Sequence, residues 1–148
     1  MKIVDFKNVV LGRASTQVAK TLLKGEDVII VNCEKAVVKG TRSGALEKFE
    51  RRYAWRTKGN PVKRGPKYSR LPDRIVTWTI MHMLPDEKPS GRKALERLKV
   101  YIGVPKSMEG KTFERIQGAE NMEPKKFLTI EQISAKMGLE LKRPKVTK

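Results

Sequence analysis

The first third of the chain alternates between strand-like and helix-like patterns of apolar residues. Residues 3–4 and 9–11 are short β-prone pieces. From residue 13 to residue 23 apolar side chains recur at helical spacing, and Gly25 follows as the expected helix stop. Residues 28–31 form a continuous apolar run, which is typical of a strand buried on both faces. This order of strand, helix and strand predicts a βαβ unit with two parallel strands.

Two more helices are predicted in the middle of the chain, after a short apolar run at residues 36–38. Leu46, Phe49 and Tyr53 have the spacing of an inward helix face. Residues 73–84 are apolar on most sides and are followed by a proline, which ends a helix. Because few polar side chains interrupt this second helix, we expect other elements or a partner to cover it.

From residue 90 onwards the chain holds two short predicted helices with an irregular stretch between them. Residues 90–98 are expected to form the first helix, and residues 100–102 a strand. Residues 106–126 are polar and lack periodicity, so we expect an irregular surface excursion there. The run Thr-Ile-Glu-Gln at residues 129–132 matches the capping box, in which two side chains bond reciprocally to the free amides of a helix start. It predicts a C-terminal helix at about residues 130–137, followed by a basic tail.

The amino-acid composition shows that the protein is strongly cationic. The length of 148 residues is typical of one domain, and we expect a single domain over residues 1–148. The chain has 33 Lys and Arg residues against 16 Asp and Glu, a formal net charge of +17. Hydrophobic residues still make up 39% of it, enough for a folded core rather than a polybasic tail. A charge of this size on a folded body indicates a polyanionic partner.

The sequence also argues against export and against a membrane partner. The one cysteine, Cys33, cannot form an internal disulfide and fits a reducing compartment, so we expect a cytoplasmic protein. Charged residues among the first seven interrupt any signal-peptide core. Runs of about eighteen apolar residues, which a membrane helix needs, do not occur.

The positive charge is concentrated in a basic segment, residues 51–74. It contains nine Lys and Arg residues and one acid, Asp73. Within it, residues 58–72 are rich in proline and glycine and offer almost nothing to bury; we call them the basic arm. Loops of this length are uncommon in compact domains unless they are functional or disordered. Proline stiffness favours an extended arm over a flexible linker, with a reach of roughly 50 Å at about 3.3 Å per residue.

Two predicted helices add cations before and after the arm. Lys48, Arg52 and Arg56 recur at intervals of four, where like charges repel unless an external anion neutralises them. The alternative is a solvated face, partly relieved by an ion pair between Glu47 and Arg51. A later predicted helix carries a second basic surface. The candidate RNA-binding residues are therefore Lys48, Arg51, Arg52, Arg56, Lys58, Lys63, Arg64, Lys67, Arg70, Arg74, Arg92, Lys93, Arg97 and Lys99.

Aromatic residues are interleaved with these cations. Tyr53, Trp55 and Tyr68 could stack on unpaired bases, as aromatic side chains do in RNA-binding proteins. The spacing of Tyr53 favours a place in the core, whereas Trp55 and Tyr68 suit a core or a surface position equally. Arginine outnumbers lysine in the basic segment, and its planar guanidinium can grip a phosphate or stack on a base. The whole pattern indicates nucleic-acid binding.

The sequence supplies few parts for catalysis. His82, the one histidine, lies in an apolar helical run, and Cys33 directly follows a predicted buried strand, where cysteine usually behaves as a small hydrophobic residue. Zinc sites need about four ligands at defined spacing, and no glycine-rich dinucleotide loop follows a strand. We therefore predict no enzymatic activity, no metal site, no cofactor and no small-molecule substrate.

Several stretches of the chain match a known family in the same order. They are residues 10–15 (Val-Leu-Gly-Arg-Ala-Ser), 18–23, 31–40, 64–66 (Arg-Gly-Pro), 83–85 (Met-Leu-Pro) and 91–101, which begins Gly-Arg-Lys-Ala-Leu. Together they span most of residues 1–105. The chain resembles the universal L-thirteen family of large-ribosomal-subunit proteins. Its compact middle region and C-terminal helix resemble the archaeal and eukaryotic branch.

The resemblance implies a fold, a role and a set of partners. The fold is an α/β, three-layer α/β/α sandwich around a small, largely parallel sheet, for which we expect four strands. The role is to bind and stabilise rRNA during assembly of the large subunit and during translation, without catalysis. The partners are large-subunit rRNA and neighbouring large-subunit proteins, with the chain a monomer within the ribosome.

The chain departs from the family in the helix before Met-Leu-Pro. Members often carry arginine in that helix, whereas this chain has Thr77, Thr79 and His82. On this ground we assign no rRNA contact to the helix.

Charge alone leaves two alternatives open. One is a DNA-binding architectural protein, although neither a helix-turn-helix nor a basic zipper pattern is present in the sequence. The other is an RNA-modifying enzyme on a Rossmann-like core, which needs the cofactor-binding loop that the sequence lacks.

Overall fold

The computed structural model describes residues 1–121 and 126–139. Five strands are present in these residues: β1 Lys2–Asp5, β2 Val28–Val31, β3 Val37–Lys39, β4 Leu98–Val100 and β5 Phe127–Thr129. Five helices accompany them: α1 Leu11–Leu23, α2 Arg42–Ala54, α3 Pro72–Met81, α4 Pro89–Glu96 and α5 Ile130–Lys136. Two 3₁₀ turns, Cys33–Lys35 and Lys106–Met108, complete the order. The predicted basic tail at residues 142–148 lies outside the described residues.

The strands form two separate sheets. The first is parallel, in the order β1-β2-β4, with Ile3 opposite Ile29 and Ile30 opposite Val100. The second pairs β3 with β5 antiparallel. The prediction of an α/β fold is confirmed, and so is the βαβ unit, which β1, α1 and β2 form. The expected four-stranded sheet is wrong, because the parallel sheet in the described residues has three strands.

The chain leaves the parallel sheet at Asn32, immediately after β2. Asn32 has a left-handed backbone (φ 53°), which asparagine adopts more easily than most residues. Its side-chain Nδ2 donates a hydrogen bond to Oδ1 of Asp5 at 2.9 Å, which holds the turn against β1. The 3₁₀ turn Cys33–Lys35 then separates β2 from β3. As a result, β3 pairs with β5 instead of joining the parallel sheet.

Both faces of the parallel sheet contain buried residues, but different elements cover them. Val4 and Ile30 belong to the main core, together with buried residues of α1, α3 and α4. Ile3 and Ile29 pack instead with Met108 from the second 3₁₀ turn. Successive side chains of a strand point to opposite faces, so helices cover one face and the segment around Met108 covers the other.

The first helix follows the predicted periodicity. Ala14, Val18 and Leu22 are at most 2% exposed. The helix ends at Leu23, and Gly25 adopts the left-handed backbone (φ 93°) expected of a helix stop, with its amide donating to the Leu22 carbonyl at 3.0 Å. Local spacing and one glycine therefore define this helix.

The last helix begins with the predicted capping box. The Thr129 hydroxyl accepts a hydrogen bond from the Gln132 amide at 3.2 Å, and the Gln132 side-chain oxygen accepts one from the Thr129 amide at 3.3 Å. Ile130 and Ile133, on one face of the helix, are fully buried. The predicted helix near the C-terminus is thus present as Ile130–Lys136.

The third helix is covered on one face and open on another. Ile75, Val76 and Ile80 are buried in the main core. Trp78 remains 38% exposed, and His82, which follows the last turn, is also exposed. Elements of the chain therefore cover one face of α3 and leave the other available to a partner.

Cys33 lies in the main core at the start of the first 3₁₀ turn, where its side chain is fully buried. Burial, together with the negative charges of Glu34 and Asp73, raises the pKa of the Cys33 thiol to about 12. The reactive form of cysteine is the thiolate. The thiol therefore stays protonated at neutral pH, which agrees with its predicted role as a small hydrophobic residue.

We expect Cys33 to react with a thiol-specific aromatic disulfide only after the protein unfolds. In denaturant the thiol regains an ordinary pKa of about 8.5, so one equivalent should react quickly at mildly alkaline pH. The native protein should release almost no chromophore over the same period. Absorbance of the released thiolate, followed with and without denaturant, makes the comparison, and fast labelling of the native protein would contradict the buried position.

Candidate nucleic-acid interface

The second helix carries the first candidate cations. Thr41 caps its start, since the threonine hydroxyl accepts a hydrogen bond from a first-turn amide at 3.3 Å. The helix ends at Ala54, and the chain is extended directly after it. Lys48 and Arg52 therefore lie on the helix, but Arg56 lies beyond its end. The predicted helical stripe of three cations is wrong at Arg56.

The basic arm folds back on itself. The side-chain Oδ1 of Asn60 accepts hydrogen bonds from the amides of Val62 (3.0 Å) and Lys63 (3.2 Å). The Arg64 amide donates to the Asn60 carbonyl at 2.9 Å, and the Thr57 hydroxyl donates to the Arg64 carbonyl at 3.3 Å. Asparagine side chains close turns in this way because they satisfy nearby amides. The prediction of an extended arm is wrong, since its first half is a closed turn.

The second half of the arm is attached to the body. The ring centroid of Tyr68 lies 6.2 Å from that of Trp55 and 5.7 Å from that of Trp78. The Arg70 guanidinium lies over the Tyr53 ring, 4.2 Å from its centroid, and the Arg70 carbonyl accepts a hydrogen bond from a serine hydroxyl of α5. Arg70 is half-buried, so this cation–π contact holds the arm in place rather than offering a free charge.

The candidate cations lie on several elements and almost all of them face solvent. The elements that carry them are α2 for Lys48, Arg51 and Arg52; the connection between α2 and α3 for Arg56, Lys58, Lys63, Arg64, Lys67 and Arg70; α3 for Arg74; and α4 or the three residues after it for Arg92, Lys93, Arg97 and Lys99. All are exposed except Arg70 and Arg97, which are half-buried. Solvent exposure leaves these charges accessible to another molecule.

The carboxylates of the chain compete little for these cations. Arg51 pairs with Glu47 at 2.6 Å, as predicted, and both side chains are more than half exposed, so the pair stabilises the fold only slightly. Among the residues that the structure describes, no other candidate cation forms an ion pair. An external anion can therefore bind these other cations without displacing an internal carboxylate.

An aromatic groove of about 500 Å³ lies between α2, the basic arm and α3. Trp55, Tyr68 and Trp78 contribute rings to its lining, and Arg52 and Arg74 contribute guanidinium groups. Within the described part of the chain, no Asp or Glu belongs to this lining. The groove thus combines apolar faces with positive charge.

A second concavity, the basic hollow, has a volume of about 340 Å³ and shares Trp55 and Tyr68 with the aromatic groove. Arg56, Arg64 and Lys67 line it. The turn of the arm brings these three cations together, although they are spread over twelve residues of sequence. Concentrated like charge of this kind is stable only in water or against an anion.

The basic surface at α4 is of mixed sign. Three cations and two carboxylates line a hollow of about 470 Å³ there: Lys93, Arg97, Lys99, Asp27 and Glu96. Arg92 does not line it, and its Nε donates to the Asp86 carbonyl at 3.3 Å. The two carboxylates reduce the attraction for a polyanion, so this surface is the weaker of the two candidates.

Two residues of the groove are missing from the set predicted by sequence. Trp78 and His82 both line it, with ring centroids 5.4 Å apart, although the substitutions in α3 predict no RNA contact there. The sequence does contain a signal for them. Arg74, Trp78 and His82 recur at intervals of four, which aligns them along one face of a helix, and all three are exposed.

The described residues offer no other obvious chemistry. They contain no group of His, Cys, Asp and Glu side chains that could hold a metal ion. Nδ1 of His82 donates to the Trp78 carbonyl at 2.7 Å, while Cys33 is fully buried, so the two form no accessible catalytic pair. In residues 1–121 and 126–139, no helix has both the length and the apolar character needed to cross a lipid bilayer.

Comparison with known proteins relates these features to a family. The family profile described as Ribosomal protein L13 matches residues 1–107. Three archaeal proteins, each named large ribosomal subunit protein uL13, are similar over nearly their whole length. That of Picrophilus torridus is 41% identical over 138 residues, which is 93% of this chain and 97% of the relative. That of Methanocaldococcus jannaschii is 36% identical over 93% of this chain and 98% of the relative, and that of Sulfolobus acidocaldarius 40% identical over 92% of each.

Proposed function

The chain belongs to the ribosomal protein L13 family, and on this premise we propose that it is a structural constituent of the large ribosomal subunit. It binds and stabilises large-subunit rRNA during assembly and translation, and it is not an enzyme. The observation that carries this function is the set of exposed cations on α2, on its connection to α3 and at the start of α3; among the described residues only Arg51 of this set has a carboxylate partner. The archaeal relatives agree with the predicted branch of the family.

The main rRNA contact is the surface formed by α2, the basic arm and the start of α3. Arg56, Arg64 and Lys67 converge on the basic hollow, while Arg52 and Arg74 extend the positive charge into the aromatic groove. Contacts with phosphates fix the position and orientation of a protein on a nucleic acid, but they do not read its sequence. Specificity at this surface therefore comes from the shape of the folded RNA.

The surface at α4 is a second, weaker rRNA contact. Arg92 and Lys93 are exposed there, but the nearby carboxylates of Asp27 and Glu96 offset part of the positive charge. The two surfaces hold rRNA at separate places, and the α/β body sets the distance between them.

The domain organisation, the oligomeric state and the protein neighbours follow from the position of the protein within the large subunit. The chain acts as one domain over residues 1–148 and as a monomer within the ribosome. Neighbouring large-subunit proteins meet it at surfaces that rRNA leaves free. Ile102, which is 43% exposed shortly after β4, offers an apolar side chain for such a neighbour.

We expect the protein to co-sediment with large ribosomal subunits through a sucrose gradient at moderate salt. The native protein, detected in each fraction of a cell lysate, should peak with free large subunits and with complete ribosomes. Free small subunits in the same gradient are the control and should lack it. A protein that stays at the top of the gradient, or that spreads equally over both subunits, would contradict the proposed function.

Family membership supports neither of the two alternatives. A DNA-binding architectural protein would hold duplex DNA as tightly as structured RNA, because it would read the same phosphates in both. An RNA-modifying enzyme on a Rossmann-like core would need a glycine-rich cofactor-binding loop after a strand. The sequence contains no such loop.

A further inference from the structure

Four aromatic rings follow one another along the aromatic groove. The ring centroids of Trp55 and Tyr68 are 6.2 Å apart, those of Tyr68 and Trp78 are 5.7 Å apart, and those of Trp78 and His82 are 5.4 Å apart. Trp55 is 53% exposed and Trp78 is 38% exposed. Aromatic rings contribute most to stability when they are buried. Three of the four rings, those of Trp55, Trp78 and His82, belong to exposed residues, and such a row marks a binding surface.

The row of rings adjoins the densest positive charge of the main surface. Trp55 and Tyr68 line the aromatic groove and also line the basic hollow, where Arg56, Arg64 and Lys67 converge. A single molecule can therefore touch the rings on one side of this pair and the cations on the other. A nucleic-acid strand has this composition, with flat bases attached to a charged backbone.

The charges of the groove decide between an RNA and a peptide as its occupant. An apolar peptide would strip water from the guanidinium groups of Arg52 and Arg74 without giving them a partner, which is costly. A nucleotide suits both parts of the lining, because its base stacks on aromatic rings and its phosphates pair with cations. In the described residues the lining contains no carboxylate that would repel a phosphate. Its volume of about 500 Å³ lies within the range of about 300–1,000 Å³ typical of small-ligand sites.

We infer that the aromatic groove binds one unpaired nucleotide of rRNA, whose base stacks on the exposed side chain of Trp78 and whose neighbouring phosphates lie in the basic hollow. This inference rests on the proposed function, because it takes rRNA as the bound polyanion, and it adds a site for a single splayed base. It also extends the part of α3 in RNA binding from Arg74 to Trp78. The hydroxyls of Thr77 and Thr79 do not serve this purpose, since each donates to a carbonyl of its own helix at 2.8 Å.

The chain carries its own reporter of this site. Its two tryptophans, Trp55 and Trp78, both line the groove, and Trp55 also lines the basic hollow, so tryptophan emission from the whole protein reports on these two adjoining sites. The probe is a single-stranded oligoadenylate of about eight nucleotides, a length typical of single-strand binding sites (about 4–16 nucleotides). Its control is an abasic oligonucleotide with the same number of phosphates. Both carry a terminal dye, so that anisotropy measures affinity at one salt concentration.

We expect oligoadenylate to quench the tryptophan emission more strongly than the abasic probe does, because only a base can stack on an indole. The oligoadenylate should bind about 5- to 150-fold more tightly, which is the effect of stacking one base. Equal affinity and equal emission for the two probes would overturn the inference. That result would mean that only phosphates bind here, or that a protein segment occupies the groove in the ribosome.

Two matched variants sharpen the test. Trp78→Leu should remove most of the difference in affinity between the two probes, whereas Tyr101→Leu, at an exposed aromatic residue outside the groove, should preserve it. Neither substitution changes the net charge, so both variants should bind the abasic probe as the parent protein does, and circular dichroism should show that both are folded. A Trp78→Leu protein that keeps the full difference would overturn the inference.

The outcomes separate this inference from the proposed function. If the proposed function fails, the protein does not sediment with large subunits, whatever the two probes show. If only the inference fails, co-sedimentation remains and the two probes bind alike.

Discussion

The affinity of the protein for a large-subunit rRNA fragment is expected to fall about 10³- to 10⁵-fold between 50 and 200 mM salt, if roughly six to ten phosphates are neutralised. The physical reason is the release of counterions from RNA when cations of the protein take their place. Enough exposed cations are available for this on the two basic surfaces. Filter binding or anisotropy over a salt series gives the slope, and an affinity independent of salt would contradict binding through phosphates.

The basic hollow should account for a defined part of that slope. Replacing Arg56, Arg64 and Lys67 together by glutamine removes three cations that converge in one place. Each removed phosphate contact should lower the slope of log affinity against log salt by about 0.7–0.9, so the triple variant should lose about 2–3 in total. None of the three side chains is buried, so the fold should not change.

A second triple variant is the matched control for charge. Lys7, Lys20 and Lys24 are exposed cations outside both basic surfaces, and their replacement by glutamine changes the net charge by the same amount. This variant should keep nearly the full slope. If both triple variants lose the same amount of salt slope, RNA binding depends on the net charge of the protein alone and the basic hollow has no special role.

Local features of the fold are predictable from the sequence because the forces that produce them act within one turn. The helix stop at Gly25 and the capping box at Thr129 involve only nearby residues, and both are present in the structure. The strand expected at residues 100–102 lies instead at Leu98–Val100. Its register is determined by pairing with β2, which is far away in sequence.

The strand count and the path of the arm depend on contacts that no local pattern contains. The parallel sheet has three strands instead of the predicted four. The chain turns at Asn32, and β3 pairs with β5, which lies near the other end of the described residues. The arm closes because one side chain, that of Asn60, bonds to two amides. Proline stiffness, from which an extended arm is predicted, does not prevent that turn.

The candidate site is predictable in its charge and not in its shape. Composition and spacing identify the cations, and the structure shows that nearly all of them are exposed. The aromatic groove arises only when the arm returns and places Tyr68 between Trp55 and Trp78. The spacing of Arg74, Trp78 and His82 at every fourth residue predicts that they share one face of a helix, which is one side of the groove. It does not predict that Trp55 and Tyr68 form the other side.

Gly91→Ala is expected to destabilise the protein by about 2 kcal/mol, because α4 passes directly over the turn that follows α3. A Cβ atom at Gly91 would overlap the carbonyl oxygen of Pro85 and lie 2.5 Å from its carbon. That carbonyl already accepts a hydrogen bond from the Lys88 amide at 3.1 Å, so it cannot move freely. Overpacking costs about 1–3 kcal/mol, with rigid backbone at the upper end, and the better helix propensity of alanine returns up to about 1 kcal/mol.

The measurement is the free energy of unfolding in urea, supported by thermal denaturation. For a chain of this size, a loss of about 2 kcal/mol lowers the melting temperature by about 4–8 °C. Gly12→Ala is the matched control, because Gly12 also lies in the first turn of a helix but has nothing within 4 Å of an added Cβ. The control should be neutral or more stable by up to about 1 kcal/mol. Equal stability of the two variants would show that α4 does not press on Pro85.

The same substitution separates the two proposed rRNA contacts. Arg92 and Lys93 directly follow Gly91 on α4, so a helix displaced from Pro85 moves both cations. The basic hollow lies between α2 and α3 and should keep its geometry. At a temperature where Gly91→Ala remains folded, its salt slope should therefore fall by about 1–2, the equivalent of one or two phosphates, while the difference between oligoadenylate and the abasic probe stays unchanged. If the folded variant keeps an unaltered salt slope, α4 does not contact rRNA, and the main surface alone forms the rRNA interface.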